Sequence, residues 1–202
     1  QLGSGDQQLP LNEVMRSGGV LDALDRIRAE GLTDFIGFTA LGDASACCAV
    51  VESGRMDTAQ VYYKLINPSA GFDIEGHWYS DNYTGLLKAC QQFNVGVLGI
   101  RVYAAGILAS RVQHGREIPV TQNSDYDSEL KRADMAREVL AEMDGSDAQK
   151  ALRFVLDQDA IHGAVIGLAE LSHLHEAVQA TQMDSLSRSV TEVLKDLWSR
   201  DY

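Results

Sequence analysis

Val95-Gly96-Val97-Leu98-Gly99-Ile100 is a short apolar run that directly follows a helical stretch and the helix-stopping residue Asn94. Apolar runs of four to eight residues between turn signals are typical of strands that are buried on both faces of a sheet. Segments of the same kind occur at 35–39, 58–63 and 164–167. Because helical segments separate these four strands, the sequence predicts an α/β fold with a parallel sheet.

Helical periodicity fills the segments between and around the predicted strands. It predicts helices over residues 11–30, 44–52, 82–93, 128–143, 148–158, 172–179 and 189–200. Asp43 is the expected N-cap of the second helix, and Gly31 is the expected end of the first. The polar connection over 110–127 has no such period, and loops of this length are usually functional. Gly3-Ser4-Gly5 predicts a linker or chain junction within residues 1–9.

The composition favours one soluble globular domain over residues 1–202. Hydrophobic residues make up 45% of the chain, and the net charge is −12. This negative charge disfavours a nucleic acid or an anionic membrane as partner. The apolar runs are too short to span a bilayer, and the N-terminus lacks signal-peptide features, so we expect a cytoplasmic protein. Neither the three cysteines nor the histidines have metal-ligand spacing, so we predict reduced thiols and no metal site.

Four segments, taken in order, resemble strands five to eight of the aldo/keto reductase family, whose members are nicotinamide-dependent (β/α)8 barrels. The first segment is Gly31-Leu32-Thr33-Asp34-Phe35-Ile36-Gly37-Phe38-Thr39, and the second is Asp57-Thr58-Ala59-Gln60-Val61-Tyr62-Tyr63. The third runs from Gly96 to Arg101 and continues to Gly106-Ile107-Leu108. The fourth comprises the helix at 151–156, Val165-Ile166-Gly167 and Leu174-His175-Glu176. Asn67-Pro68-Ser69-Ala70-Gly71 is similar to a bacterial NADP-dependent oxidoreductase branch of the family.

The resemblance implies a partial barrel with about four βα units, whereas a complete barrel has eight and about 250 residues. In the family, a catalytic tetrad of Asp, Tyr, Lys and His comes from strands one to four. Gly3 stands at the position of that His. Without the tetrad, hydride transfer to a carbonyl lacks its general acid. The resemblance therefore implies the cofactor-side half of an enzyme for carbonyl or sugar substrates, which does not reduce carbonyls alone. The alternative is a non-catalytic, degenerate barrel that serves as an interaction or structural module.

The resemblance also implies a set of contacts to NADP(H). These cofactor-binding candidates are Thr39, Gln60, Ile100, Arg101, Gly167, Leu168, Ala169, His173 and Glu176. Gln60 would contact the nicotinamide carboxamide, or it forms a hydrogen bond across the barrel interior. Thr39 would contact the same amide, or it is simply a good strand residue. Arg101 would bind the pyrophosphate or a substrate carboxylate, or it forms an internal salt bridge.

The turn Gly167-Leu168-Ala169-Glu170 is the predicted phosphate site, because the N–H groups of the next helix would face an anion there. Glu170 opposes this role with its negative charge. His173 stands where the family has a basic contact to the 2′-phosphate. The alternative is an ordinary capped helix. Tyr62, Tyr63 and Tyr103 either stack on a cofactor ring or pack in the core. His77 and Trp78 either line a substrate pocket or lie in a solvated loop.

A partial barrel would leave two strand edges open, at 35–39 and at 164–167. We expect the inward faces of the strands, which include Phe35, Val61, Val97 and Val165 or their neighbours, to lack packing partners. Exposure of such apolar area costs roughly 25 cal/mol per Å². The predicted partner is therefore an N-terminal half-barrel or, as the alternative, a second copy of the chain.

Overall fold

The computed structural model of the chain describes residues 2–3, 8–73, 81–110 and 125–200. The expectations for Ser4, Gly5, His77, Trp78 and most of the 110–127 connection lie outside these residues. Within the described ranges, the helices are α1 (Leu11–Met15), α2 (Val20–Ala29), α3 (Ala44–Glu52), α4 (Leu86–Gln92), α5 (Tyr126–Val139), α6 (Asp147–Leu156), α7 (Leu171–Ala180) and α8 (Arg188–Ser199). The strands are β1 (Gly37–Ala40), β2 (Thr58–Tyr62), β3 (Gly96–Ile100) and β4 (Gly163–Ala164), and a 3-10 turn covers Ala104–Gly106.

The four strands lie side by side in chain order and pair in parallel. In this register, Thr39 lies beside Gln60, and Gln60 lies beside Leu98. Helix α3, helix α4 and the α5–α6 pair connect successive strands, as parallel pairing requires. The predicted α/β fold with a parallel sheet is confirmed, and it is consistent with part of a (β/α)8 barrel.

The two faces of the sheet differ in burial. One face packs against the helices and buries Ala59, Val61 and Val97; α4 contacts both β2 and β3. Of the alternate positions, Thr39 is exposed and Gln60 and Leu98 are half-buried, whereas Tyr62 and Ile100, at the carboxyl ends of their strands, are buried. The expectation that the strands are buried on both faces therefore holds only at their carboxyl ends; Val61 and Val97 face the helices, and their neighbours in the strands lie on the open face. Strand side chains alternate between the two faces, so the polar Thr39 and Gln60 mark the opposite face from Val61.

Several predicted boundaries are confirmed and others are corrected. Helix α3 has its predicted bounds, and the carboxylate of Asp43 accepts a hydrogen bond from the N–H of Ala46 at 2.8 Å. The predicted helix over 11–30 is divided into α1 and α2, because Gly18 adopts a left-handed φ of 72°. The fourth strand is shorter than predicted, since the ladder ends after Val165 N donates to Gly99 O at 2.8 Å.

Leu2 lies alongside the carboxyl end of β1. Its N–H donates to Leu41 O at 2.8 Å, and its carbonyl accepts from Asp43 N at 2.7 Å. Gly42 allows this approach, because its φ is 100° and a Cβ at this position would lie 2.1 Å from Leu2 O. Residue 2 therefore occupies the place of a parallel neighbour at this end of β1.

None of the helices in the described ranges is long and apolar enough to cross a membrane.

Candidate functional site

Thr39 and Gln60 form a polar pair on the open face of the sheet. They are register partners on β1 and β2, and the Thr39 hydroxyl donates to Gln60 Oε1 at 3.3 Å. Thr39 is exposed and Gln60 is half-buried. Within the described residues, this bond leaves the amide nitrogen of Gln60 without a hydrogen-bond acceptor. A primary amide in this position can pair with another primary amide, since each group offers a donor and an acceptor.

The loop that follows β3 has an unusual backbone. Arg101, Ala104 and Ala105 have positive φ values of 63°, 49° and 56°. Left-handed backbone costs non-glycine residues about 1–2 kcal/mol each, and such strain concentrates at functional sites. Arg101 is half-buried. Its guanidinium makes no ion pair with any carboxylate that the structure describes, so the alternative of an internal salt bridge gains no support.

Every residue from 61 to 70, in the segment that leaves β2, is buried. Tyr63 stacks on Phe154 with ring centroids 5.2 Å apart, and burial raises the pKa of its hydroxyl. The indole N–H of Trp198 donates to Leu65 O at 2.8 Å. Loops are seldom buried, because their backbone groups then need partners. Of the two alternatives for Tyr63, which were stacking on a cofactor ring and packing in the core, the contact with Phe154 supports packing.

Lys64 carries a buried charge within this segment. Its Nζ lies 2.5 Å from Glu129 Oε1 on α5 and 5.0 Å from the centroid of the Tyr62 ring. Burial lowers the pKa of Lys64, the Glu129 carboxylate opposes that change, and the nearby charge of Arg101 adds to it. Lys64 therefore depends on the Glu129 carboxylate to keep its charge in this buried position.

The predicted phosphate turn is exposed, and it contains both an open backbone at Gly167 and the acidic side chain of Glu170. Gly167, Leu168, Ala169 and Glu170 are all exposed, as is His173 on α7. A Cβ added at Gly167 would meet no atom within 4 Å, so a ligand can approach this backbone closely. Glu170 is the N-cap of α7, and its side chain makes no capping hydrogen bond. Its carboxylate accepts a hydrogen bond from the Ser172 hydroxyl at 3.4 Å, so an acidic side chain lies at the start of α7.

Glu176 has a structural contact. The hydroxyl of Ser146 donates to its carboxylate, and the amide of Gln149 donates to its backbone carbonyl at 3.2 Å. These bonds connect α7 to the start of α6, where Ser146 and Gln149 also form a capping box. Glu176 is near enough to Tyr103 to raise the pKa of its hydroxyl, in addition to the effect of burial.

The sheet topology brings most of the predicted residues to one edge. Thr39 and Gln60 lie near the carboxyl ends of β1 and β2, Ile100 ends β3, Arg101 follows it, and Gly167 follows β4. Ile100 is buried. Ligand sites of parallel α/β proteins lie at this edge.

Three buried charged residues at this edge are not predicted from the sequence, namely Lys64, Glu129 and Arg137. Lys64 interrupts the apolar run at 61–66, and that interruption was a usable signal. Glu129 and Arg137 had none, because α5 reads as a polar helix throughout.

The buried cysteines Cys47 and Cys90 are unreactive thiols. Burial raises the pKa of Cys47 to about 12 and that of Cys90 to about 11, so both thiols are protonated near neutral pH. Among the residues that the structure describes, no cluster of His, Cys, Asp or Glu could hold a metal ion.

Comparison with known proteins places this architecture in a family. The model of the aldo/keto reductase family matches residues 4–199. The chain is similar to the aldo-keto reductase AKR11C1 from Bacillus halodurans. Its holo form has a TM-score of 0.67 and 17% identity, and the match covers 92% of this chain and 57% of that chain. For the apo form, the TM-score is 0.64 with 17% identity, and the coverages are 90% and 57%.

The match with these structures has a limited scope. At 17% identity it shows the fold alone, and the chain spans 57% of the length of either structure. No curated protein sequence matches the chain. The family model, in contrast, spans nearly the whole sequence. On that basis, the chain belongs to the aldo/keto reductase family.

Proposed function

We propose that the chain binds NADP(H) along the carboxyl edge of its sheet, as the cofactor-side part of an oxidoreductase. The complete enzyme would transfer a hydride between the nicotinamide and a carbonyl or a sugar hydroxyl. The observation that carries the proposal is the Thr39–Gln60 pair, which presents an amide on the open face of the sheet. Family membership supports the reaction class, since aldo/keto reductases generally use NADP(H).

The nicotinamide end of the cofactor fits the polar pair. The amide nitrogen of Gln60 would donate to the carboxamide oxygen of the cofactor, and the Thr39 hydroxyl would bind the same group. NADP(H) itself supplies the hydride. The contribution of this chain is to orient the ring through Gln60 and to bind the pyrophosphate through Arg101, which follows β3 directly.

The phosphate end of the cofactor fits less well. The open backbone at Gly167 and the start of α7 suit an anion, but Glu170 repels one. His173 would meet the 2′-phosphate, and a histidine carries its positive charge only part of the time near neutral pH. We therefore expect weak binding, with a Kd on the order of 0.1–1 mM.

We assign the proton donor of the reaction to polypeptide outside the described residues. Tyr83 and Lys64 lie at the correct edge of the sheet, but both side chains are fully buried. A general acid needs hydrogen-bond access to the reacting oxygen. This division of roles agrees with the extent of the match, which covers only 57% of the similar structure.

We further propose that additional βα units of the same fold cover the outer strands. Within the described ranges, β1 pairs only with β2 and β4 only with β3, apart from the contact of Leu2 beyond β1. Large apolar side chains are exposed beside both edges: Phe35 is 71% exposed before β1, and Leu171 is 68% exposed on α7. The units that complete the barrel in longer members of this fold would bury these side chains.

A second candidate function is a non-catalytic interaction or structural module. The carboxylate of Glu170 at the phosphate turn favours it, as does the engagement of Glu176 by Ser146. Calorimetric titration with NADPH separates the two functions. Saturable binding supports the oxidoreductase proposal, and the absence of binding at millimolar NADPH would favour the module.

A further inference from the structure

Helix α5 buries charged side chains instead of an apolar stripe. Glu129, Arg132 and Arg137 are all buried on its inner face, next to the small residues Ala133 and Ala136. Removal of charges from water is costly unless each one has a good polar partner. The position of this helix therefore depends on specific polar contacts.

The Arg137 guanidinium has three partners that lie on three different segments. Its Nε donates to Asp147 at 2.9 Å, its Nη1 donates to Asp134 at 2.7 Å, and its Nη2 donates to the backbone carbonyl of Ile107. Two carboxylates thus fix the plane of the guanidinium. The Nη2 group donates to the Ile107 carbonyl, at the end of the loop that follows β3.

This loop needs external support. Arg101, Ala104 and Ala105 are all in the left-handed region, and such a conformation persists only where its surroundings enforce it. Inside the loop, Ala104 N donates to Arg101 O at 2.9 Å, and Leu108 N donates to Tyr103 O at 3.1 Å. The bond from Arg137 connects the loop to the helix layer.

The loop that leaves β2 is held by the same helix. Lys64 in that loop pairs with Glu129, two turns before Arg137 on α5. One face of α5 therefore contacts two loops. Glu129 binds the loop that follows β2, and Arg137 binds the loop that follows β3.

We propose that Arg137 is a positioning residue that holds the 101–107 loop in its strained conformation and so places Arg101 for an anionic ligand. The ligand half of this statement rests on the proposed NADP(H) function, whereas the loop half does not. Arginine suits the role because its planar fork serves three acceptors at once, which a lysine ammonium on a flexible stem does not reproduce.

Hydrogen exchange measured by mass spectrometry tests the loop half. The variants are Arg137→Met, which keeps the aliphatic stem, Arg137→Lys, and the matched control Lys131→Met at an exposed site of the same helix. In Arg137→Met we expect at least tenfold faster exchange in the peptide over 101–110, with little change over 37–40. Arg137→Lys should restore only part of the protection, and Lys131→Met should match the wild type.

Two results would overturn the proposal: unchanged exchange over 101–110, or an equal increase in every peptide, which indicates general loss of stability. Asp147→Asn is a milder test that leaves Arg137 in place, and it should accelerate the same peptide to a smaller extent. Unchanged exchange in Asp147→Asn would contradict the role given to this carboxylate.

NADPH titration tests the ligand half. If the wild type binds, Arg137→Met should weaken binding at least fivefold at a temperature where both proteins are folded, and equal affinities would overturn the ligand half. If the wild type does not bind, the proposed function fails, while the exchange experiment still decides whether Arg137 orders the loop.

Discussion

Lys64 and Glu129 form a buried ion pair across 65 residues of sequence, with Nζ 2.5 Å from Oε1. The exposed fractions of the two side chains are 2% and 8%. When one member of such a pair is removed, the other is left as an uncompensated buried charge. The free energy of unfolding should therefore depend strongly on both residues being present together.

We predict that Lys64→Met lowers the free energy of unfolding by about 3–5 kcal/mol. The double variant Lys64→Met/Glu129→Leu should lose clearly less, because no charge remains buried alone. Urea denaturation measures the free energy of unfolding of both variants. The control is Lys195→Met, which removes an exposed pair with Glu192 at 2.9 Å and should cost about 0–1 kcal/mol. Equal losses in Lys64→Met and Lys195→Met would contradict the burial of the pair.

A second prediction compares two buried aromatic side chains. Trp198→Phe removes the N–H that satisfies Leu65 O at 2.8 Å, so it should cost about 2–4 kcal/mol through the unpaired carbonyl and the lost volume. Among the described residues, the buried hydroxyl of Tyr83 has no hydrogen-bond partner. Tyr83→Phe should therefore leave the unfolding free energy unchanged or raise it, because it removes a buried hydroxyl that has no partner. Thermal unfolding of both variants is the measurement, and the reverse order of the two effects would contradict these assignments.

The buried thiols predict how stability depends on pH. Burial raises the pKa of Cys47 from 9.0 to about 12, so the unfolded thiol ionises at a pH where the folded one stays protonated. The stabilisation from this group is complete below pH 9 and is lost as the pH rises toward 12. Its contribution to the slope is about 1.4 kcal/mol per pH unit.

Urea denaturation between pH 8 and 11 checks this slope. The stability difference between the wild type and Cys47→Ala should be constant up to about pH 9 and should shrink above it, because the variant lacks the titrating group. Cys48→Ala is the matched control, since Cys48 is only half-buried. The stability difference between the wild type and Cys48→Ala should change less with pH. A constant difference between the wild type and Cys47→Ala would contradict the raised pKa.

The open edges predict association of the chain when it is studied alone. Light scattering should show species larger than a monomer, because Phe35 and Leu171 are exposed beside the two outer strands. The double variant Phe35→Glu/Leu171→Glu should reduce association. Phe93→Glu, at the amino end of β3, should not. A discrete dimer would identify a second copy as the covering partner, and a cooperatively melting monomer would contradict the assembly proposal.

The sequence predicted those features that are encoded by local patterns. Asp43 followed by an apolar helical run gave α3 with its bounds, and four apolar runs gave four parallel strands. The predicted proximity of Thr39 and Gln60 followed from the family resemblance, and the strand register brings them together.

The features that the sequence did not predict depend on tertiary context. The break at Gly18 arises from a left-handed turn that the apolar spacing of residues 11–30 does not reveal. Glu129 and Arg137 are indistinguishable in sequence from the exposed charges of the same helix. Their burial is explained by tertiary partners, which are Lys64 for Glu129, and Asp147 and the Ile107 carbonyl for Arg137. The apolar content of β2 did not decide whether Val61 or its neighbour faces the helices; the structure places Val61 on the helix side.

The Gln60 amide offers the most direct test of the account, by calorimetric titration with NADPH. Gln60→Ala should weaken NADPH binding about tenfold, because one buried hydrogen bond is worth about 1 kcal/mol or slightly more. Gln92→Ala, at an exposed site of α4, should bind like the wild type. Adenosine 2′,5′-bisphosphate, which lacks the nicotinamide, should bind equally to all three proteins. Equal NADPH affinity of Gln60→Ala and the wild type, or no saturable binding at millimolar NADPH, would contradict the central claim.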